Sequence, residues 1–219
     1  MGGKYSKVAN AYYMNLKDLE GRSINEVNHK MNLLYKEDET KIGIYFLTKR
    51  DLLYTFPDLS SVQIHEIIML FDPLQTDHIS SIDFFGALIL LSSNNNDEKI
   101  TNCFKLIDTN HDSYIGYYDV TTLLSCITRG VALLRGYQQL PYIMIERYAI
   151  DLFKNNKSLL NANGEIRLVD FKSYILSDAV VGQYISALGM PVADVDAGNV
   201  MMMLMMMMMV MMMMMMMMI

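Results

Sequence analysis

Apolar residues recur along this chain at helical spacing, in short stripes divided by polar, turn-rich stretches. Ile24, Val27, Met31 and Leu34 share one face, and Ser23-Ile24-Asn25-Glu26 has the form of a capping box at its start. Ile64, Ile67, Ile68 and Phe71 form the next stripe, opened by Ser60 and Gln63 in the same pattern. Phe84, Ala87, Leu88 and Leu91 follow. The run Ser92 to Asp97 (SSNNND) is the clearest linker and divides the pattern into two lobes. It also offers Asn95 as an N-cap, with Glu98 at the third helical position. Beyond it lie stripes at Ile100, Cys103, Phe104 and Ile107, at Val120, Leu123, Leu124 and Ile127, and at Ile145, Tyr148, Ala149 and Leu152. Phe171, Tyr174 and Ile175 start another. Val180, Val181, Tyr184, Ile185 and Leu188 predict a short helix stopped by Gly189 and Pro191. No long strand pattern appears, so the expected class is all-α.

An internal repeat orders these helices: an apolar helix, a loop of about twelve residues, then a second helix. The clearest copy runs from Asp108 to Asp119. Oxygen-bearing side chains stand at loop positions 1, 3, 5 and 12 (Asp108, Asn110, Asp112 and Asp119), and Ile115 is at position 8. A hard cation takes six to eight oxygens, and alternate side chains at 1, 3 and 5 can converge on it. Position 7, here Tyr114, adds its carbonyl, and position 12 closes the shell from the next helix. This is the EF-hand signature, and it makes Asp108, Asn110, Asp112, Tyr114 and Asp119 the candidate metal ligands. Two features weaken the site. Asp119 is one methylene shorter than the usual Glu, which favours Mg²⁺ in competition with Ca²⁺. Ser113 occupies position 6, where glycine normally takes a positive φ.

The other copies are degraded. Asp72 to Asp83 keeps Asp at 1 and 12 and Ile79 at 8, but has Leu74 at 3 and Asp77 where Gly is expected. The copy ending at Asp170 fits with Asn161, Asn163, Gly164 and Ile166, but Leu159 falls at position 1. The first copy is faint: with Asp51 at position 12 it starts at Thr40 and puts Ile42 and Ile44 at ligand positions. Position 8 is apolar in each copy. That predicts two short ribbons, Ile115 facing Ile166 and Leu47 or a near neighbour facing Ile79. The expected architecture is therefore two lobes of paired EF-hands with mostly degenerate loops. The segments are 1–22, a degenerate pair over 23–92, a second pair over 97–178, a helix and linker over 179–199, and a tail over 200–219.

Composition changes the picture mainly at the end of the chain. Of 22 Met, sixteen lie between Met201 and Met218, and every residue from Val200 to Ile219 is apolar. Without that tail the apolar share falls from 52% to roughly 47%, ordinary for a globular chain. The tail is long enough to span a bilayer, but Asp194 and Asp196 precede it and no basic residue flanks it. A low-complexity expansion, or a soft contact surface in a protein groove, is the alternative. A net charge of −6 gives no basic excess for nucleic acid. Cys103 and Cys126 cannot form a disulfide framework, and no secretory h-region opens the chain, so a reducing, cytoplasmic setting is expected. His29, His65, His78 and His111 are scattered, and no zinc spacing, P-loop, dinucleotide fingerprint or nucleophile elbow occurs. Enzymatic activity is not expected.

Over about residues 20–190 the chain resembles four-hand calcium sensors of the recoverin and neuronal-calcium-sensor type. It is similar also to the calcineurin regulatory subunit and to calaxin-like axonemal proteins. The loop starts at Asp72, Asp108 and about Leu159 carry the resemblance. So do the opening Met1-Gly2-Gly3-Lys4-Tyr5-Ser6-Lys7, like an acylation signal at Gly2, and the short helix from Ser177 to Leu188. The resemblance implies a cytosolic adaptor that receives a partner's helix in an apolar groove, often under Ca²⁺ control. With one nearly complete loop, at most one Ca²⁺ site is expected. The rival expectations are a static component of an axoneme or other cytoskeletal assembly, and a membrane-attached adaptor using the acyl group or the tail.

Overall fold

The computed structural model describes residues 17–37, 46–135, 139 and 141–177. Among them it has eight α-helices and two small sheets. Gly2 with its flanking lysines, Ile42 and Ile44, the Val180 to Leu188 segment and the tail lie outside the described residues.

Side-chain caps set most helix starts. Helix α1 spans Ile24–Glu37. Ser23 Oγ accepts from the Glu26 N–H at 3.2 Å, but the Glu26 carboxylate is drawn off to Arg22, so only half of the expected box forms. Strand β1 is Phe46–Leu47, and helix α2 spans Lys49–Thr55 behind a full Thr48/Asp51 capping box. Helix α3, Ser61–Phe71, starts from the expected Ser60/Gln63 box. Strand β2, Ile79–Ser80, leads into helix α4, Ser81–Leu90. Helix α5, Asn96–Lys105, is capped by Asn95, whose side chain accepts from Glu98 N. After strand β3, Tyr114–Ile115, helix α6 runs unbroken from Tyr117 to Arg135. The apolar stretch Val131 to Leu134 belongs to that helix. Helix α7, Tyr142–Ile150, continues into a π turn over Asp151–Asn155. Strand β4, Ile166–Arg167, precedes helix α8, Leu168–Ser177.

The strands form two antiparallel ribbons. Leu47 faces Ile79 in one, and Ile115 faces Ile166 in the other, the partners that the apolar eighth positions predict. All four side chains are buried.

Both halves of the chain share one apolar core. Helix α4 is buried along all ten residues, which is why its sequence reads apolar on every side. Phe84 sits at its centre, edge-on to Phe56 and Phe71, with Phe85 beside it. Burying each such ring contributes about 1.5–3 kcal/mol. In the second half, Phe104 packs on Phe171. Helices α4 and α6 cross in close contact where two glycines meet them. A Cβ on Gly130 would lie 2.0 Å from the Asp83 carbonyl oxygen, and one on Gly86 would lie 2.4 Å from Ile127 Cγ2. Of the Ser92–Asp97 run, Ser92 to Asn94 are bends, Asn95 is the cap, and Asn96 and Asp97 already belong to helix α5. Among the described residues no helix is long and apolar enough to cross a membrane.

Candidate metal centre

Asp108 opens its loop as helix α5 ends. Its N–H still bonds to Phe104 O at 3.1 Å, which continues the helical ladder by one residue and fixes where the side chain starts. The residue is only 6% exposed. Its Oδ2 accepts from the Ser113 N–H at 3.1 Å, while its Oδ1 is buried with no hydrogen-bond partner among the described residues.

The remaining candidate ligands are held by the loop itself. Asn110 Oδ1 accepts from Asp112 N at 3.2 Å, and its Nδ2 donates to Asp112 Oδ2 at 2.9 Å. Asp112 Oδ1 accepts from Tyr114 N at 2.8 Å. Asp119, in the first turn of α6, accepts from Gly116 N at 2.9 Å. Such local Asx bonds are what short polar side chains do in turns. The chain reverses through two left-handed residues, His111 (φ 58) and Ser113 (φ 66). Tyr114 then enters the ribbon, and the Ser113 carbonyl accepts from Leu168 N at 3.1 Å, tying the loop to the start of α8.

Asp108, Asn110, Asp112, Tyr114 and Asp119 therefore share one loop whose acceptors are mostly engaged with its own N–H groups. Among the described residues no group of three or more His, Cys, Asp or Glu side chains stands ready as a metal cluster. The donor set nevertheless fits a hard cation. It is all oxygen and carries three carboxylates. Its innermost carboxylate keeps one buried oxygen without a donor, a costly arrangement that a cation relieves.

The other loops engage most of their oxygens with internal donors, although Asp72 Oδ2 and Asp83 Oδ1, like Asp108 Oδ1, are buried with no hydrogen-bond partner among the described residues. At Asp72 the N–H of Thr76 is the main influence holding the carboxyl below its usual range. Burial opposes this, and the Thr76 hydroxyl, at 3.0 Å from Oδ1, assists it. Gln75 (φ 56) and Asp77 (φ 62) repeat the backbone of His111 and Ser113. Leu74, at the third position, is 84% exposed and offers no side-chain oxygen. Asp83, at the twelfth, is claimed by Arg129 of α6, whose Nε donates to Oδ2 at 2.7 Å and whose Nη2 donates to the same oxygen. Cys126 lies alongside, its thiol pushed up to about 12 by burial first and then by the Asp83 charge. In the last loop Asn161 Oδ1 accepts from Asn163 N and Glu165 N at 2.9 and 3.0 Å, around Gly164 (φ 76). Asp170 there pairs with Arg167 Nε at 3.2 Å. Asp51, the twelfth residue of the first copy, accepts from Thr48 N and Oγ1, both at 2.8 Å.

Two residues escape the sequence pattern. Arg129 is separated from Asp83 by 46 positions, so no local spacing announces the pair. Lys99 sits on α5 in what reads as a solvated turn of charged residues, yet it is only 3% exposed. Burial, with a smaller push from Arg135, lowers its ammonium pKa.

No family model matches the chain, and no curated protein matches it.

Proposed function

We propose that the chain is a non-catalytic EF-hand adaptor that binds a partner protein and is regulated by Ca²⁺ at a single site. One observation carries the reading. Two loops of about twelve residues pair through their apolar eighth positions, Ile115 with Ile166, and the same relation recurs between Leu47 and Ile79. Pairing of this kind is what lets each loop bury an apolar residue that it would otherwise expose. In this reading 23–92 is the degenerate pair of hands and 97–178 the pair that keeps one metal loop.

Asp108, Asn110, Asp112, the Tyr114 carbonyl and Asp119 would hold the ion. Bound Ca²⁺ supplies a positive centre that draws these oxygens together. Asp108 is already fixed by burial and by Ser113 N. Asp119 has the furthest consequence, since it gives up the Gly116 N–H and is carried on α6, the helix that packs on the first half. Mg²⁺ competes there because the closing carboxylate is short. Calorimetric titration of the chain with Ca²⁺, with Asp108→Ala as control, tests the site. A pull-down from the cell of origin, with Ca²⁺ and with chelator, tests the adaptor role.

A static structural role is the second reading, and the internal bonds at Asp51, Asp83 and Asp170 favour it. Each position-12 carboxylate outside the Asp108 loop already has a partner. A silent Ca²⁺ titration, with partner capture unaffected by chelator, would select this reading, with an axonemal or other cytoskeletal assembly as the setting.

A further inference from the structure

We infer that Arg129 is a built-in cation that takes the place of a metal ion at the Asp72–Asp83 loop, so that the first half keeps its packed form whatever the metal state of the Asp108 loop. The inference rests on the EF-hand reading only for its meaning; the contact itself is independent of it.

Asp83 is the closing carboxylate of that loop and is 3% exposed. Left unpaired, a buried carboxylate would be strongly destabilising. The guanidinium of Arg129 answers it with two donors on Oδ2. The side chain is placed by its neighbour, since Gly130 brings the α6 backbone against the Asp83 carbonyl, where a Cβ would lie 2.0 Å away. At the loop's other end Asp72 Oδ1 accepts from the Thr76 hydroxyl at 3.0 Å, while Asp72 Oδ2 and Asp83 Oδ1 are buried with no hydrogen-bond partner among the described residues. Each terminal carboxylate thus has an internal donor on one of its oxygens. In the middle of the loop Leu74 is turned outward, and the Thr76 hydroxyl is engaged with Asp72 Oδ1. The left-handed residues Gln75 and Asp77 and the Leu47–Ile79 pairing persist all the same. The loop has kept the shape of a metal loop and has a protein cation in place of the metal. The metal response is then confined to the second half, and a partner gripping the first half is held in a metal-independent way.

Hydrogen exchange of the amides from Thr76 to Ser80, in the full chain, tests this. In metal-free protein, Arg129→Met and Asp83→Asn should each speed that exchange by at least about tenfold, with no further gain in the double variant. Arg129→Lys, which keeps the charge, should fall between, and it serves if Arg129→Met does not fold. In wild type, about 1 mM Ca²⁺ should leave this exchange unchanged. Unchanged exchange in both Arg129→Met and Asp83→Asn, or slowing by Ca²⁺ in wild type, would overturn the inference. The metal-free arms decide the role of Arg129. A calorimetric Ca²⁺ titration decides the Asp108 site separately.

Discussion

Ile115 and Ile166 stand directly opposite each other in an antiparallel ribbon, 2% and 0% exposed. Both belong to the same buried cluster as Phe104 and Phe171. They couple the loop after α5 to the loop before α8, so neither loop can shift alone.

Truncating either residue should therefore be costly. Ile115→Ala and Ile166→Ala should each lose about 2–4 kcal/mol in denaturant melts. The double variant should lose less than the sum, because the two cavities merge. Full additivity would show that the ribbon contact is not shared.

Ser113, like His111, holds a left-handed backbone in the Asp108 loop that its own side chain disfavours, at φ 66. Ser113→Gly should remove that strain and stabilise the fold by about 1 kcal/mol. Thermal melts measure it, and an unchanged or lowered midpoint would show that the hydroxyl does something the backbone does not reveal.

Much of this was legible beforehand, for local reasons. The Ser60/Gln63 box, the Asn95 cap and the eighth-position pairs depend on spacings of a few residues or on a repeated loop. Ser23/Glu26 was half legible, because Arg22 competes for the Glu26 carboxylate and is itself steered by Asp58. The Thr48/Asp51 box was hidden by reading Asp51 only as a loop ligand. The glycine-lined crossing of α4 and α6, and with it the Asp83–Arg129 pair, exists only once distant segments meet. The same holds for Lys99, whose burial follows from packing and not from the polarity of its neighbours.

Lys99 should be a liability to stability. Burial lowers the pKa of its ammonium, which means that folding disfavours the charge. Lys99→Met keeps the length without the charge and should raise stability by about 1–2 kcal/mol at neutral pH. In wild type, stability should rise as pH climbs through the window below the ordinary lysine value. A destabilised Lys99→Met would mean that the ammonium is paired after all.

Asp58 makes an acid-sensitive contact. Burial pushes its carboxyl up, but hydrogen bonds from Arg22 and Lys30 outweigh this and bring it down to about 2. Lys30 also lies over the Phe56 ring at 4.7 Å, so both cations are placed by packing. A depressed carboxyl stabilises the fold above its unfolded value near 3.8 and loses that contribution as pH falls toward 2. Wild type should exceed Asp58→Asn by about 1 kcal/mol from neutral pH down to about 4, and the gap should close below that. A gap that persists at pH 2, or that closes already at pH 6, would rule out this pairing.

The central claim is one hard-cation site, built on Asp108. Calorimetric titration of the full chain with Ca²⁺, repeated on Asp108→Ala, tests it most directly. The expected result is one ion per chain, bound with an affinity somewhere in the micromolar to millimolar range, and no binding heat in the variant. A silent wild type, two or more ions per chain, or binding that survives Asp108→Ala would contradict it.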